Sequence, residues 1–409
     1  MELPWTGTIN WQALQPFEHL LAKRSADRGE WVIGVGQATA PTGPWAVNEE
    51  PWGGERACFG YAGYDLKNRF EDLHSRHPPR DGFAESAWWC PAFIFRLGAG
   101  SAELIAGEDR PRGHALLRAL IAAPGPVPAM AFARWTRTTG KQRYMAAVAT
   151  LLRHIHRGDI YEVNYCTQRV AVLPRFEPLS AFARLLAFSD APHAAYLRHG
   201  NHHALCASPE RFLRLHGEQV VTQPMKGTRP RGRNEAEDLA LALELVRDPK
   251  ERSENIMALD VARNDLSRIA TPGSVHVDEL CTVKSYPNVH QLVSTASARL
   301  RPGTTPMDLL RATFPMASMT GAPKVRAMQL IDEVEDMRRG LFSGTIGHFL
   351  PDGTADLNVV IRTITWDAAT GRAALISGGA ITAASTPEQE WAECEHKAHT
   401  VLNAFGHAC

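Results

Sequence analysis

The sequence predicts a protein built from both helices and strands, and three local patterns support this. Residues 211 to 215 alternate polar and apolar side chains, as in a half-buried strand, and a His-Gly-Glu turn leads into a returning run. Residues 141 to 157 place apolar side chains at helical spacing, and Gly158 suits a helix end. Residues 158 to 173 then read as a strand.

Composition describes an ordinary globular protein with no strong charge bias. The 409 residues are 44% hydrophobic and 22% charged, with a formal net charge of zero. We therefore expect no polyanionic partner such as nucleic acid. The sequence has no export signal and no run of eighteen apolar residues, so we expect no membrane span and a cytoplasmic location.

Cysteine usage and glycine patterns exclude further classes. The seven cysteines contain no Cys-x-x-Cys pair, which argues against a disulfide framework and a thiolate metal site. No glycine-rich loop is followed by Lys-Ser or Lys-Thr, so an ATP-driven reaction is not indicated.

Residues 123 to 130 carry three prolines and are the best candidate boundary between residues 1–125 and 135–409.

The stretch from Ser318 to Gly340 predicts a helix with a ligand-binding N-terminus. Pro323 suits a first helical turn, the apolar side chains after it recur at helical spacing, and Gly340 suits the end. Backbone N–H groups of residues 318 to 322, helped by the hydroxyls of Ser318 and Thr320, would then face a carboxylate or phosphate. An ordinary helix cap without a ligand is the alternative.

Two more helices are predicted at residues 235–247 and 250–269, separated by Pro249. The last helix is predicted to begin after Thr386. Gln389 stands at the third helical position, as a capping box requires, and Pro387 stands at the first helical position, where proline is common.

The last helix carries Glu390, Glu393 and Lys397 on one face. A solvated charged face is one explanation. A magnesium site is the other, and it needs a third carboxylate, for which Glu254 is the candidate.

The segment from residue 208 to 229 carries the sharpest chemistry. Glu210 and Lys226 stand at the two ends of the predicted hairpin, which would bring an acid and an amine to one cleft. An edge hairpin with a surface ion pair is the alternative.

Nine motifs, in order along the chain, carry a resemblance to a known family. They read GDIYEVNYCTQR, SPERF, QPMKGTRPRG, ENIMALDVARNDLSRI, SMTGAPKVRAMQLIDE, SGTIGHF, VVIRT, SGGAIT and PEQEWAECEHKA. Over residues 140 to 405 the sequence resembles the chorismate-utilising enzymes. The resemblance implies an α+β fold, with two packed antiparallel sheets, outer helices and a site between the halves.

Lys226 indicates which members the chain resembles. Pro224-Met225-Lys226-Gly227-Thr228 matches the motif of the aminodeoxychorismate synthases, whereas anthranilate synthases typically have alanine at the lysine position. Isochorismate and salicylate synthases place a base lysine where this chain has Glu162, which counts against water as the nucleophile. The resemblance therefore implies that chorismate and ammonia give 4-amino-4-deoxychorismate, on the route to 4-aminobenzoate and folate.

The same resemblance assigns roles to residues. Lys226 attacks C2 of chorismate, Glu210 protonates the departing C4 hydroxyl, and Glu254, Glu390 and Glu393 hold Mg²⁺. Lys226 must be uncharged to attack, so we expect a largely closed site with magnesium close by to lower its pKa, and we expect Glu210 to have a raised pKa. Matching substrate-contact positions are Gly227, Thr228, Gln291, Ser318, Thr320, Gly321, Phe342, Arg362, Gly378, Gly379 and Lys397.

Several positions depart from the family pattern. Gln291 stands where histidine is common, and His290, one residue earlier on a strand, should face the other way. Phe342 replaces a usual tyrosine, Ala380 replaces the last glycine of a triplet, and Glu162 stands where glutamine is common.

Partners follow from what the sequence does not contain. It has no recognisable glutaminase region and no lyase domain, so we expect ammonia from a separate glutamine amidotransferase subunit and aromatisation by a separate lyase. Two alternatives stay open at this point. One is anthranilate synthase component I; the other, of a different class, is a non-catalytic chorismate-binding subunit.

Overall fold

A computed structural model of the chain describes residues 2–25, 27, 29–38, 57–125 and 134–405. The candidate boundary at residues 123–130 lies mostly outside the described residues. The described strands are β1 Glu2–Pro4, β2 His19–Ser25, β3 Glu30–Val35, β4 Cys58–Ala62, β5 Ser86–Trp89, β6 Phe93–Gly98, β7 Ser101–Gly107, β8 Thr136–Arg137, β9 Glu162–Val172, β10 Ala195–His199, β11 His202–Cys206, β12 Arg211–His216, β13 Gln219–Gln223, β14 Met225–Pro230, β15 His276–Ser285, β16 Val289–Arg299, β17 Gly321–Ala322, β18 Thr345–Phe349, β19 Thr354–Asn358, β20 Thr363–Asp367 and β21 Arg372–Thr382.

The described helices are α1 Arg110–Ile121, α2 Lys141–Arg157, α3 Pro178–Ser189, α4 Glu235–Arg247, α5 Pro249–Ser267, α6 Pro306–Thr313, α7 Lys324–Val334 and α8 Pro387–Asn403. Short 3₁₀ turns occur at Trp11–Leu14, Tyr64–Arg69 and Ala317–Met319. None of the described helices is both long enough and apolar enough to span a bilayer.

The strands form two antiparallel sheets. The first sheet runs β1-β7-β6-β3-β2-β10-β11-β20-β21-β9-β17, with β8 added beside β9. The second sheet runs β14-β16-β13-β12-β19-β18-β4-β5, with β15 added beside β16. Strands from before residue 125 and after residue 135 are hydrogen-bonded to each other in both sheets, as at β2–β10 and β18–β4.

Apolar side chains fill the space between the sheets, and the helices cover the outside. One buried cluster combines Leu21 and Leu197 of the first sheet with Phe59 and Ile346 of the second. Another packs α2, α7 and α8 onto β9 and β21. The structure thus has the predicted α+β architecture of two packed sheets with outer helices.

Local signals set several elements where they were predicted. Helix α2 ends at Arg157, because Gly158 takes a left-handed conformation with φ of 85° and closes the last turn. Helix α8 begins after Thr386, whose side chain accepts the N–H of Gln389. Strands β12 and β13 form the predicted hairpin, and β14 then pairs with β16.

The helix expected up to Gly340 is shorter than predicted. Helix α7 ends at Val334, because the next residue, Glu335, turns its carboxylate inward to the Cys166 N–H and to Arg339. A buried ion pair therefore replaces the last two expected turns.

The expected helix N-terminus at residues 318–322 is also wrong. Met319 and Thr320 donate their N–H groups to Met316 and Ala317 within a 3₁₀ turn, and Gly321 pairs with Val163 of β9. Helix α7 begins only at Lys324, and the N–H groups of Met319 and Thr320 are used within the turn, so residues 318–322 are not the N-terminus of a helix.

Candidate active site

Lys226 and Glu210 lie at the edge where the second sheet faces the first. Glu210 directly precedes β12, and Lys226 is the second residue of β14. The pairing of β14 with β16 shifts register between Lys226 and Thr228, with Gly227 between them at φ of 83°. Such bulges redirect side chains, and glycine permits the positive φ.

Lys226 forms a buried ion pair with the first sheet. Its Nζ lies 2.7 Å from Oε1 of Glu162, the first residue of β9, and 3.4 Å from the carbonyl of Ser318. The two paired side chains are 9% and 4% exposed. This pair connects the two sheets at the predicted nucleophile.

The lowered pKa expected for Lys226 relies on a closed site with Mg²⁺ close by, and without the ion the pKa of Lys226 is raised. Burial lowers the pKa, but the negative charges of Glu162, Glu254 and Glu210 outweigh burial and raise it to about 12. The amine is therefore held as an ammonium ion, and any reaction through it requires a proton acceptor.

Glu210 has the raised pKa that was predicted. Burial raises the pKa of its carboxyl to about 7, although the positive charge of Lys226 and the side chain of Ser318 act in the opposite direction. A carboxylic acid with this pKa keeps its proton in a large fraction of molecules at neutral pH, which suits a general acid.

The three predicted metal ligands come from two helices. Glu390 and Glu393 of α8 both face Gly379, since a Cβ built on that glycine would lie 3.0 Å from Glu390 Oε2 and 3.7 Å from Glu393 Oε1. Glu254 lies on α5. The ammonium of Lys250 lies between the helices, 3.3 Å from Glu390 and 3.8 Å from Glu254.

These carboxyl groups suit a hard cation by their chemistry, but they are not gathered around one ion position in the structure. Burial raises the pKa of Glu254 to about 8 and also raises that of Glu390, whereas the neighbouring Lys397 lowers the pKa of Glu393. Among the residues that the structure describes, no three acidic side chains are close enough to hold an ion as they stand. Lys250 instead supplies the positive charge between Glu254 and Glu390.

Gln291 carries a buried polar atom, Oε1, without a hydrogen-bond partner among the described residues. Ser318 and Glu390 differ from it, because Ser318 interacts with the Glu210 carboxyl and Glu390 interacts with Ser385 and Lys250. Buried polar atoms are usually satisfied, so Gln291 Oε1 suits a polar group of a ligand.

Arg362 supplies an unusual cation. It has φ of 51°, a conformation that non-glycine residues rarely adopt, and burial lowers its pKa. Within the described part of the chain, no acidic side chain pairs with its guanidinium. An unpaired and partly buried guanidinium suits a carboxylate of a ligand.

The predicted glycines allow close backbone approach. A Cβ on Gly378 would lie 2.2 Å from the carbonyl of Tyr165, and one on Gly321 would lie 2.1 Å from the carbonyl of Glu162. Glycine is therefore required at both positions by the neighbouring strand β9. Lys397 donates to the carbonyl of Gly378 at 3.0 Å and pairs with Glu393.

Three other predicted contacts differ in their surroundings. The Thr320 hydroxyl donates to carbonyls of its own turn, and Phe342 is buried in an apolar cluster with Phe314 and Ile376. Thr228 is exposed on β14.

His290 and Gln291 face opposite sides of their strand, as the strand alternation predicted. His290 forms hydrogen bonds with Ser285 and Asp238, while Gln291 faces inward.

Sequence reasoning missed two contributions. The sequence marks Glu162 as a departure from the family pattern and as the residue at the base-lysine position of other members, but not as a partner of Lys226. Their contact joins residues 64 apart in the chain, which no local signal reports. Lys250 was not singled out, although it precedes Glu254 by four residues, the spacing of a helical ion pair.

Comparison with known proteins identifies the family. Residues 10–403 match the model for chorismate binding enzymes, so the chain belongs to this enzyme family. A solved structure, anthranilate synthase component I from Streptococcus pneumoniae, matches with a TM-score of 0.76 at 22% identity, covering 98% of this chain and 91% of that one. At that identity the match supports the fold.

Two curated relatives carry different names. An aminodeoxychorismate synthase from Streptomyces pristinaespiralis is 39% identical over 383 residues, covering 85% of this chain and 50% of that protein. An anthranilate synthase component 1 from Thermus thermophilus is 37% identical over 355 residues, covering 84% of this chain and 76% of the relative. The chain therefore spans about half the length of the Streptomyces relative.

Proposed function

We propose that this chain converts chorismate and ammonia to 4-amino-4-deoxychorismate. The observation that carries the proposal is a buried lysine amine, Lys226, beside a buried carboxyl group, Glu210, whose pKa is about 7. The name of the Streptomyces relative agrees with this product, and the family membership agrees with the substrate.

The chemistry needs a nucleophile and an acid on the same substrate. Lys226 attacks C2 of the ring, the double bond shifts, and the C4–O bond breaks as Glu210 gives its proton to the departing hydroxyl. Ammonia then attacks C4 and displaces the lysine from C2. The raised pKa of Glu210 supports its role as the acid of the first step.

Chorismate carries two carboxylates, and the site offers matching cations and donors. The guanidinium of Arg362, which has no acidic partner in the described structure, is the candidate for one carboxylate. Gln291 carries a polar atom without a partner among the described residues, and this atom suits a polar group of the ring. Gly378, Gly379 and Lys397 are further contacts proposed from the resemblance.

Glu254, Glu390 and Glu393 would hold Mg²⁺. Their carboxylate oxygens are the ligands that Mg²⁺ prefers, and Glu390 and Glu393 both face the backbone at Gly379. When bound, the ion supplies charge neutralisation and Lewis acidity at the ring carboxylate. Lys250, which now lies between Glu254 and Glu390, would have to give up those contacts.

Ammonia requires a supplier. We propose a separate glutamine amidotransferase subunit, and a separate lyase for the later aromatisation to 4-aminobenzoate. The word component in the name of the Thermus relative supports a two-subunit arrangement.

The second candidate is formation of anthranilate, favoured by the name of the Thermus relative. The presence of Lys226 speaks against it, because the resemblance assigns alanine to this position in anthranilate synthases.

Product identity separates the two candidates. The chain is incubated with chorismate, an ammonium salt and Mg²⁺, and the products are identified by mass spectrometry and by anthranilate fluorescence. The proposal expects 4-amino-4-deoxychorismate without anthranilate. Anthranilate as the main product would reject it.

A further inference from the structure

Lys226 holds a proton that it must lose before it attacks, and one neighbour is placed to receive it. Among the described residues, the carboxylate of Glu162 is the acidic group within hydrogen-bond distance of Nζ, at 2.7 Å. Glu210 and Glu254 influence Lys226 by charge alone. Glu210 also has a different task, because it must supply a proton to the hydroxyl.

Glu162 is held firmly in this position. Its backbone pairs with Ala322 of β17 on one side and Thr382 of β21 on the other. Gly321 permits the close approach of β17 to the Glu162 carbonyl. The carboxylate therefore projects from the interior of a three-strand ladder, and it is 4% exposed.

The carbonyl of Ser318 completes the arrangement around the amine. It lies 3.4 Å from Lys226 Nζ and also accepts from the side chain of Asn164, two residues after Glu162. Two of the three N–H groups of the ammonium therefore have acceptors among the described residues, Glu162 and the carbonyl of Ser318.

We propose that Glu162 is the proton acceptor that activates Lys226, a role that rests on the proposed function of the site. Glu162 takes one proton from the ammonium, which leaves a neutral amine and a protonated carboxyl group. Rotation about the Cε–Nζ bond then directs the freed electron pair to C2. The C2–N bond forms, the C4–O bond breaks, and Glu210 gives its proton to make water.

The second half of the reaction restores every group. Ammonia forms the C4–N bond while the C2–N bond to Lys226 breaks, and the lysine leaves as a neutral amine. Glu162 returns its proton to Lys226. The new C4 ammonium gives one proton to Glu210, so that the sum is chorismate plus ammonia giving the amine plus water.

The test measures the first half-reaction alone. The protein is mixed with chorismate and Mg²⁺ without ammonia, and the rate of covalent attachment to Lys226 is followed by intact-protein mass spectrometry between pH 6 and 8. We compare the unaltered protein with Glu162→Gln, with Glu162→Asp and with Glu103→Gln. The last removes an exposed carboxylate that pairs with Arg96 far from Lys226 in the chain.

We expect the rate of covalent attachment to Lys226 to be about 10²- to 10⁴-fold lower in Glu162→Gln than in the unaltered protein at neutral pH, which is the usual contribution of a general base. Glu103→Gln keeps the normal rate. In Glu162→Gln the amine must lose its proton to solvent, so its rate of attachment should rise about tenfold for each unit by which the pH is raised. The rate in the unaltered protein divided by the rate in Glu162→Gln should therefore fall about tenfold per pH unit as the pH rises. The titration of Glu210 cancels in that ratio.

Two results would overturn the inference. One is a normal rate in Glu162→Gln. The other is a reduced rate whose ratio to normal stays constant with pH, because a merely structural role gives a constant ratio. If Glu162→Gln does not fold, the test uses Glu162→Asp. The proposal then predicts a reduced rate of attachment with the pH dependence of the unaltered protein. A rate of attachment that rises about tenfold per pH unit relative to the unaltered protein, as expected when solvent removes the proton, would reject the role of Glu162.

Failure of the proposed function has a different signature. It appears as anthranilate, or no amine product, made from chorismate and ammonia by the unaltered protein. If the unaltered protein makes 4-amino-4-deoxychorismate but never shows attachment to Lys226, the function stands and the activation of Lys226 by Glu162 is rejected. Attachment to Lys226 in the unaltered protein together with an unaffected Glu162→Gln variant rejects the role of Glu162 alone.

Discussion

Two buried ion pairs lie against strand β9. They differ in how many N–H groups of the cationic side chain have a hydrogen-bond acceptor. Arg339 and Glu335 are 1% and 2% exposed, and Arg339 donates to Glu335, to the carbonyls of Met319 and Asn164, and to Ser343. Lys226 and Glu162 are similarly buried, but Lys226 has two acceptors and a surplus of nearby carboxylates.

The difference separates a structural pair from a reactive one. Arginine keeps its proton at all physiological pH values, and here every side of its guanidinium is occupied, so the Arg339 pair fixes the backbone around residues 164 and 319. Lysine can release a proton to a carboxylate at hydrogen-bond distance. Burial of charge alone therefore does not identify a site; the surplus of carboxylates around Lys226 distinguishes the two pairs.

The largest effect is expected for Lys226→Ala. Removing the nucleophile should lower the rate of 4-amino-4-deoxychorismate formation by about 10⁴-fold, as for other essential nucleophiles. Product is measured by mass spectrometry at saturating ammonia. Lys284→Ala, which removes a partly exposed lysine paired with Glu279, is the matched control and should retain full activity. Equal activity in the two variants would place Lys226 outside the chemistry.

Replacing Glu210 by glutamine should lower the rate of covalent attachment of chorismate to Lys226 by about 10³-fold, because an amide supplies no acidic proton. In the unaltered protein the acid form of Glu210 exists below its pKa of about 7, so covalent attachment of chorismate to Lys226 should slow as pH rises above about 7. Glu210→Gln should lose this decrease. The rate is measured without ammonia, whose own titration would obscure the profile. A decrease that persists in the variant would reject Glu210 as the acid.

Breaking the structural pair should affect stability. Arg339→Met leaves the carboxylate of Glu335 buried and unpaired, and we expect the free energy of unfolding to fall by about 3–5 kcal/mol. Chemical denaturation measures this loss. The double variant Arg339→Met with Glu335→Gln should recover part of it, since the unpaired charge is gone. A loss below about 1 kcal/mol in the single variant would show that the pair is dispensable.

The smallest expected effect concerns Lys250. Lys250→Ala removes the cation between Glu254 and Glu390, so the protein without Mg²⁺ should lose about 1 kcal/mol of stability, while Mg²⁺ should raise the unfolding temperature more than in the unaltered protein. Differential scanning fluorimetry with and without Mg²⁺ gives both values. An unchanged response to Mg²⁺ would mean that the ion does not bind between these carboxylates.

Local sequence signals predicted the elements that local contacts determine. Gly158 ends α2, and Thr386 caps α8, because the required turn or hydroxyl lies beside the helix end. The two-sheet fold followed from the resemblance of motifs. The end of α7 was misplaced because the buried partner of Glu335 on β9, the Cys166 N–H, is 169 residues away in the chain.

The site was predictable in composition but not in electrostatics. Glu210 and Lys226 could be assigned from motifs, and the raised pKa of Glu210 agrees with the expectation. Without Mg²⁺ the pKa of Lys226 is raised, because the carboxylates of Glu162 and Glu254 outweigh burial, whereas the expected lowering relied on a closed site with Mg²⁺ close by. Contacts between distant strands determine that balance.

The central claim is that Lys226 itself bonds to the substrate. Incubation with chorismate and Mg²⁺ without ammonia, followed by proteolysis and peptide mass spectrometry, tests it most directly. The account predicts a chorismate-derived addition on Lys226, within the Met225–Pro230 strand, that disappears when ammonia is added. Formation of 4-amino-4-deoxychorismate by a protein that never carries this addition would contradict it.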